Sequence, residues 1–358
     1  MPDVSLNQSY LTHDESNAIK GILILLIALG HDIPFVKMTD SWMVMVWLYL
    51  FHLQDFFLLP FLYPLKPLDR KRLANLLIRF YLPFIVFLIP LLTIQLLRKQ
   101  PTPSLYQLPI VFVGGGALFL RKYIGTQFLW FLPAMCICSI IKELFAIATP
   151  IPKKIIILLG ATAILCTILA FPKWLMNKNL DYVRLAFRIL FLGILLRTMI
   201  QCRFSWTIPA IITFLIGSIC FFVHYRLCIR PYTFGYALTP FHYVLTPLMS
   251  ISFIILLHHY RTLLTQSHFL KLMGSNSLYI YLFHIYWGYL GNWLLAKLHA
   301  PLLLSSAVCL VIMLGGGLSI ALAIRRCPIL RSLIFPKTLD DFSLAWRRII
   351  HPFYRLLG

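Results

Sequence analysis

The chain is poor in charge, and in negative charge above all. Only 12% of its 358 residues are Asp, Glu, Lys or Arg, about half the share found in an ordinary soluble domain. That scarcity excludes a soluble globular protein. Acidic residues number 11 against 32 lysines and arginines, a formal net charge of +21. Nucleic acid is not the partner this implies, because the basic residues lie in short loops between apolar runs and in the C-terminal stretch, where a positive-inside bias places them. The eight cysteines include one close pair, Cys136-x-Cys138, without the spacing of a metal or redox motif. They read as small hydrophobes, and no metal is expected. The polar start, residues 1–17, runs straight into an apolar segment with no small-residue cleavage pattern, so no cleavable signal peptide is expected. Linkers, repeats and low-complexity segments are also missing.

What is present is apolar surface, 60% of residues, arranged in long runs. Residues 18–38, 43–63, 73–97, 126–148, 153–171, 183–200, 206–224, 236–258, 271–296 and 302–324 are candidate spans, each near the ~20 residues a bilayer requires. A further apolar stretch, 105–120, is short, begins among Pro101, Pro103 and Pro109 and carries Gly114-Gly115-Gly116; it is left outside the count. Lys66, Arg70, Lys71 and Arg72 make the second loop cytoplasmic, and Arg325, Arg326, Arg331, Lys337, Arg347, Arg348 and Arg355 do the same for the C-terminal stretch. The expectation is an all-α polytopic helical bundle of about ten transmembrane helices with both termini cytoplasmic. Arg226 and Arg230 fall on the outer side in this scheme, against the rule. Residues 1–324 form the transmembrane domain. Residues 325–358 form a basic cytoplasmic tail, in which Trp346, Ile349, Ile350, Phe353 and Leu357 share a face suited to an anionic lipid surface, and Pro352 is expected to kink or end the helix.

Ionisable side chains inside such spans are costly and default to functional candidates. Lys20 and His31 bracket the first apolar helix, about 16 Å apart along its axis; a cation at the inner end and a histidine further out suit an anionic cytoplasmic donor. In the second span His52 and Asp55 are three positions apart on one helix face, where a carboxylate would fix the imidazole tautomer. Arg70 and Arg72 open the third span and Arg79 lies beyond its first turns, too deep to be a topology signal alone; guanidinium groups there suit phosphate. Glu143, Arg188, Arg197 and His284 are weaker candidates, the two arginines serving equally well as partners of a carboxylate. His224 and His242 read as ordinary span histidines.

Taken in order, Lys20-x10-His31, Phe51-His52-Leu53…Phe56-Phe57, Lys71-Arg72…Leu77-Ile78-Arg79-Phe80-Tyr81-Leu82-Pro83, Leu129-Trp130-Phe131-Leu132, Phe191-Leu192-Gly193-Ile194-Leu195-Leu196-Arg197 and Gly274-Ser275-Asn276-Ser277-Leu278-Tyr279-Ile280-Tyr281-Leu282-Phe283-His284 resemble the membrane-bound acyltransferase-3 family. The family's first-span signature commonly opens with arginine; this chain has lysine. Gln54-Asp55 stands where a proline and an apolar residue are usual, and Pro60-Phe61 where Ser-Gly is usual, departures that bear on the substrate more than on the reaction.

The resemblance implies an O-acyltransferase of the bacterial inner membrane. It would move acetyl from cytoplasmic acetyl-CoA to a hydroxyl of a glycan acceptor: O-antigen, capsule or exopolysaccharide. On that reading Lys20, Arg70, Arg72 and Arg79 hold the donor's phosphates. His31 is the general base, and His52, supported by Asp55, orients or assists it. An acyl-histidine intermediate is equally compatible. The competing class is a transporter or flippase for a lipid-linked saccharide, which such intramembrane ions also suit; the lack of two-halves internal symmetry speaks against it.

Overall fold

In the computed structural model the described residues fold almost wholly into helices. The structure describes residues 8–38, 42–113, 117–126, 128–147, 181–202, 204–224, 229–232, 235–238 and 240–357. In chain order these form α1 (His13–Gly30), α2 (Ile33–Met38), α3 (Trp42–Tyr49), α4 (His52–Leu58) with a 3₁₀ turn at Leu59–Leu62, α5 (Arg70–Leu97), α6 (Leu108–Val113), α7 (Ala117–Ile124) and α8 (Phe131–Ile147). They continue as α9 (Asp181–Gln201), α10 (Thr207–Val223), a small antiparallel hairpin of β1 (Ile229–Tyr232) and β2 (Gly235–Leu238), α11 (Pro240–His259), α12 (Arg261–Leu264), α13 (His268–Ser275), α14 (Ser277–Lys297), α15 (Leu302–Arg326), α16 (Pro328–Ile334) and α17 (Leu339–Leu357).

Met43–Leu62, Arg70–Leu97, Phe128–Ala146 and Leu302–Arg326 are long and apolar enough to cross a membrane, and Thr207–Val223 and Val244–His259 are shorter apolar helices. The expected span at 153–171 lies outside the described residues. Three expected spans are not continuous helices. The first, 18–38, breaks at His31-Asp32 between α1 and α2; the second, 43–63, breaks at Leu50-Phe51 between α3 and α4, where Phe51 has φ −136° and ψ −53°. The third, 271–296, breaks at Asn276 between α13 and α14, and the span expected from 236 begins in β2. The helix expected to end or kink at Pro352 runs on to Leu357.

The chain divides into two compact units, residues 1–64 with 191–322 and residues 65–190 with 323–358. In the first unit, α1 starts with a capping box: Thr12 Oγ1 accepts from the Glu15 amide at 3.2 Å and Glu15 Oε2 accepts from the Thr12 amide at 2.7 Å, satisfying donors that a helix start leaves open. Two further ties hold its first turns, Arg261 to Glu15 at 3.2 Å and Lys271 to Asp14 at 3.8 Å. Around Asn17 and Gly21 α1 lies against α13, backbone on backbone. A Cβ at Gly274 would stand 1.7 Å from the Asn17 carbonyl oxygen, and one at Gly21 would stand 2.2 Å from that of Leu270. Only glycine permits this approach, as small residues do at helix crossings in membranes. A separate apolar cluster gathers Val46, Leu48, Leu50 and Phe51 of the second span with Phe221 of α10 and Leu245 and Met249 of α11.

The second unit is organised on α5, which the Asp69 carboxylate caps by accepting from the Arg72 amide at 2.7 Å. Pro83 and Pro90 sit inside this helix. Arg72 forks onto Glu143 of α8, with Nε to Oε2 at 2.9 Å and Nη2 to Oε1. The last helix, α17, meets the start of α5 through Lys71 to Asp340 at 3.1 Å and the Leu339 amide to Asn75 Oδ1 at 2.8 Å.

The glycine contact generates a matched pair of outcomes. Gly274→Ala, which forces its Cβ into a carbonyl, should destabilise the detergent-solubilised protein by about 1–3 kcal/mol or more. Gly315→Ala, whose Cβ meets nothing within 4 Å, should leave the melting temperature level or raise it slightly. A fluorescence-detected thermal melt of both variants checks this.

Candidate functional site

Two helix breaks of the first unit, at His31-Asp32 and Leu50-Phe51, set the site. At the end of α1 the His31 amide turns aside to the Ala28 carbonyl at 3.1 Å. The Ile27 carbonyl would ordinarily receive that amide; here the His31 ring takes it up, with Nδ1 at 2.9 Å from Ile27 O. A carbonyl oxygen only accepts, so Nδ1 carries the proton and Nε2 presents the lone pair. That lone pair accepts from the Tyr49 hydroxyl at 2.9 Å. Tyr49 is the last residue of α3, directly before the second break.

His284, in the middle of α14, completes the group. Its Nδ1 donates to Tyr281 O at 2.7 Å and Ile280 O at 3.2 Å, so its Nε2 is also an acceptor, and it faces His31 Nδ1 at 3.4 Å. The two imidazoles meet edge-on with centroids 5.0 Å apart. A chain of hydrogen bonds thus runs from Tyr49 through His31 to His284, with each donor matched to an acceptor. The C-terminal end of α1 adds the negative end of its helix dipole, a setting that suits a transient imidazolium on His31.

His52 sits on the far side of Tyr49, its ring edge-on at 5.0 Å. Its Nδ1 donates to the Leu48 carbonyl, and among the described residues its Nε2 has no hydrogen-bond partner. The predicted His52–Asp55 pair is not formed. Asp55 instead accepts from the Ser250 hydroxyl of α11 through Oδ1, and among the described residues Oδ2 has no partner. The physical reason is the break: His52 begins α4 and its ring turns back to a carbonyl of α3, away from the carboxylate one turn further on. His52, Asp55 and His284 are fully buried at 0% exposure, whereas His31 and Tyr49 keep part of their surface open. Asp32, buried in the gap between α1 and α2, accepts from Ser306 Oγ of α15 at 2.6 Å.

The basic candidates separate by environment. Lys20 lies on the partly buried side of α1. Arg70 is exposed at the start of α5, and Arg79 is exposed further along it; Arg79 lies over the neighbouring Phe80 ring at 5.4 Å, and among the described residues no carboxylate pairs with it. Arg72 is engaged by Glu143. Arg197, for which a carboxylate partner or a ligand was expected, serves the backbone: its Nη1 donates to Phe61 O at 2.6 Å and Tyr63 O at 2.7 Å, Nη2 to Gln8 O at 3.2 Å, and the guanidinium stacks over Tyr10 at 4.8 Å. It is 0% exposed and closes the end of the second span. The side chain of His242 lies outside the described residues.

Tyr49, Ser250 and Ser306 did not stand out in the sequence. His284 did, as the final residue of the Ser277…His284 segment, but nothing there tied it to His31.

Residues 13–324 match the family model Acyl_transf_3, an acyltransferase domain. Neither a curated protein nor a solved structure matches the chain.

The revised pairing has a direct test. In a double-mutant cycle read by thermal stability, Asp55→Asn and Ser250→Ala should show a coupling of about 0.5–3 kcal/mol, as residues in one hydrogen bond do. The cycle of Asp55→Asn with His52→Ala should show a distinctly smaller one.

Proposed function

Because the chain belongs to the acyltransferase-3 family, we propose that it is a membrane O-acyltransferase carrying acetyl from cytoplasmic acetyl-CoA to a hydroxyl of a cell-surface or lipid-linked glycan. The observation that carries this reading is the state of His31: its Nδ1 is tied to Ile27 O and its Nε2 is left as the basic nitrogen. General-base catalysis needs a neutral imidazole with one fixed acceptor atom, within hydrogen-bond reach of the proton it takes. Here His31 is that base. The acceptor hydroxyl's proton ends on His31 as the oxygen attacks the thioester carbonyl. The C–S bond then breaks, and the departing thiolate recovers the proton, so an ester and a free thiol result. His284 acts as a positioning residue, its Nε2 sharing the His31 Nδ1 proton and supporting the imidazolium while it lasts.

Lys20, Arg70 and Arg79 are assigned to the phosphates of the donor by charge-assisted hydrogen bonds. Arg72 was assigned with them from the sequence; its pairing with Glu143 gives it a structural duty as well. His52, in full burial, supports Tyr49 and the second helix break; it does not touch substrate, and Asp55 serves it only through the shared helix. The chain is assigned to a bacterial inner membrane on its family resemblance, and to about ten spans with both termini cytoplasmic on the charge distribution of its loops.

A second reading, a transporter or flippase for a lipid-linked saccharide, draws support from the two interrupted helices, since discontinuous helices near the midplane often form substrate sites in carriers.

Surface glycan O-acetyl content separates the readings. The comparison is a deletion strain, the same strain carrying the wild-type chain, and the strain carrying His31→Ala at equal membrane abundance. Loss of acetyl groups on deletion, restored by wild type only, is expected. Restoration by His31→Ala would remove His31 from the mechanism. Loss of the entire glycan on deletion would favour the carrier.

A further inference from the structure

We infer that Tyr49 is a catalytic residue: its hydroxyl, lying between His31 and the open part of the site, relays the acceptor's proton to His31. The inference rests on the acyltransferase reading and deepens it. A neutral imidazole has a single lone pair, and in His31 that lone pair already receives the Tyr49 hydroxyl at 2.9 Å. The other ring nitrogen is engaged as well, by Ile27 O and His284 Nε2. An acceptor hydroxyl therefore finds no vacant atom on the His31 ring edge. The Tyr49 oxygen differs. It donates its one proton to His31 and retains lone pairs, and among the described residues His31 is its hydrogen-bond partner.

Position and packing agree with this. Tyr49 keeps part of its surface open, while His52, whose ring edge packs against it, and His284, behind His31, are wholly buried. The phenol ring is thus packed against a buried histidine while the residue keeps part of its surface open. It also ends a helix at the second break, so its hydroxyl reaches into the gap where α1 stops at His31.

The step balances. The acceptor O–H passes its proton to Tyr49 Oη as Tyr49 passes its own to His31 Nε2, and the acceptor oxygen forms the new C–O bond at the thioester carbonyl. The C–S bond breaks. The thiolate takes a proton from Tyr49 Oη, which is refilled from the His31 imidazolium. Both side chains end as they began.

The test uses membranes from the deletion strain carrying the full chain, radiolabelled acetyl-CoA as donor and the strain's own membrane glycolipid as acceptor, with rates normalised to protein abundance. Tyr49→Phe keeps the ring and removes only the relay atom. Its kcat should fall by about 10²-fold or more, the usual weight of general acid–base catalysis, with KM for acetyl-CoA unchanged. Tyr49→3-fluorotyrosine, which keeps the hydroxyl, should retain the rate. The double variant Tyr49→Phe/His31→Ala should be no slower than His31→Ala alone, because residues acting as one unit are non-additive. Wild-type rate in Tyr49→Phe, a raised KM with kcat unchanged, loss of rate in the fluorotyrosine variant, or additive losses in the double variant would each overturn the relay while leaving the acyltransferase reading in place. Absence of transfer by the wild-type chain would overturn that reading, and the relay with it.

Discussion

Three histidines in this protein make the same bond. His31, His52 and His284 each direct Nδ1 to the carbonyl four residues earlier, at Ile27, Leu48 and Ile280. In a low-dielectric bundle an orphaned carbonyl is costly, and two of these three carbonyls border helix breaks. At the first break the bond gives the Ile27 carbonyl a donor. At the second it adds one to the Leu48 carbonyl, which also accepts from the Phe51 amide at 3.2 Å. In all three it fixes a tautomer. Every ring then presents Nε2 as an acceptor, and the chemistry assigned to the site depends on that orientation. Without it the Ile27 carbonyl would lose this donor, and His31 would have no defined basic atom.

The surrounding packing serves the same end. α1 can carry His31 to a fixed position because Gly21 and Gly274 let it rest on α13 with no side chain between them. The second span is closed at its far end by Arg197, a buried cation held by carbonyl oxygens and a tyrosine face. Buried charge without partners would cost several kcal/mol; here the partners are the carbonyls that a 3₁₀ turn leaves open. Ser250 and Ser306 play the corresponding part for the carboxylates of Asp55 and Asp32.

Much of this was legible in the sequence, for definite reasons. Apolar run length foretold membrane helices, and the cost of intramembrane ions singled out His31, His52 and Arg79. The first break also left a trace, since Gly30 and Pro34 flank it and such residues punctuate helices; the continuous span assigned to 18–38 overlooked it. The second break had no such mark, because Tyr49-Leu50-Phe51-His52 contains neither glycine nor proline. The His52–Asp55 pairing failed on that account: the i, i+3 rule assumes both residues sit within one regular helix. Asp55 with Ser250, Asp32 with Ser306 and His31 with His284 lie hundreds of positions apart, where no local spacing rule reaches. Tyr49 was hidden by ordinariness, one aromatic among many in an aromatic-rich chain.

The central claim is that His31 holds its proton on Nδ1 and keeps Nε2 as the base. Nitrogen-15 solid-state NMR of the histidine-labelled full chain in bilayers, with the His31 signals assigned by difference from His31→Asn, reads this directly. The account predicts a neutral ring at pH 7 with Nδ1 protonated and Nε2 unprotonated but hydrogen-bonded. A neutral His31 protonated on Nε2, or a ring already charged at that pH, would contradict it.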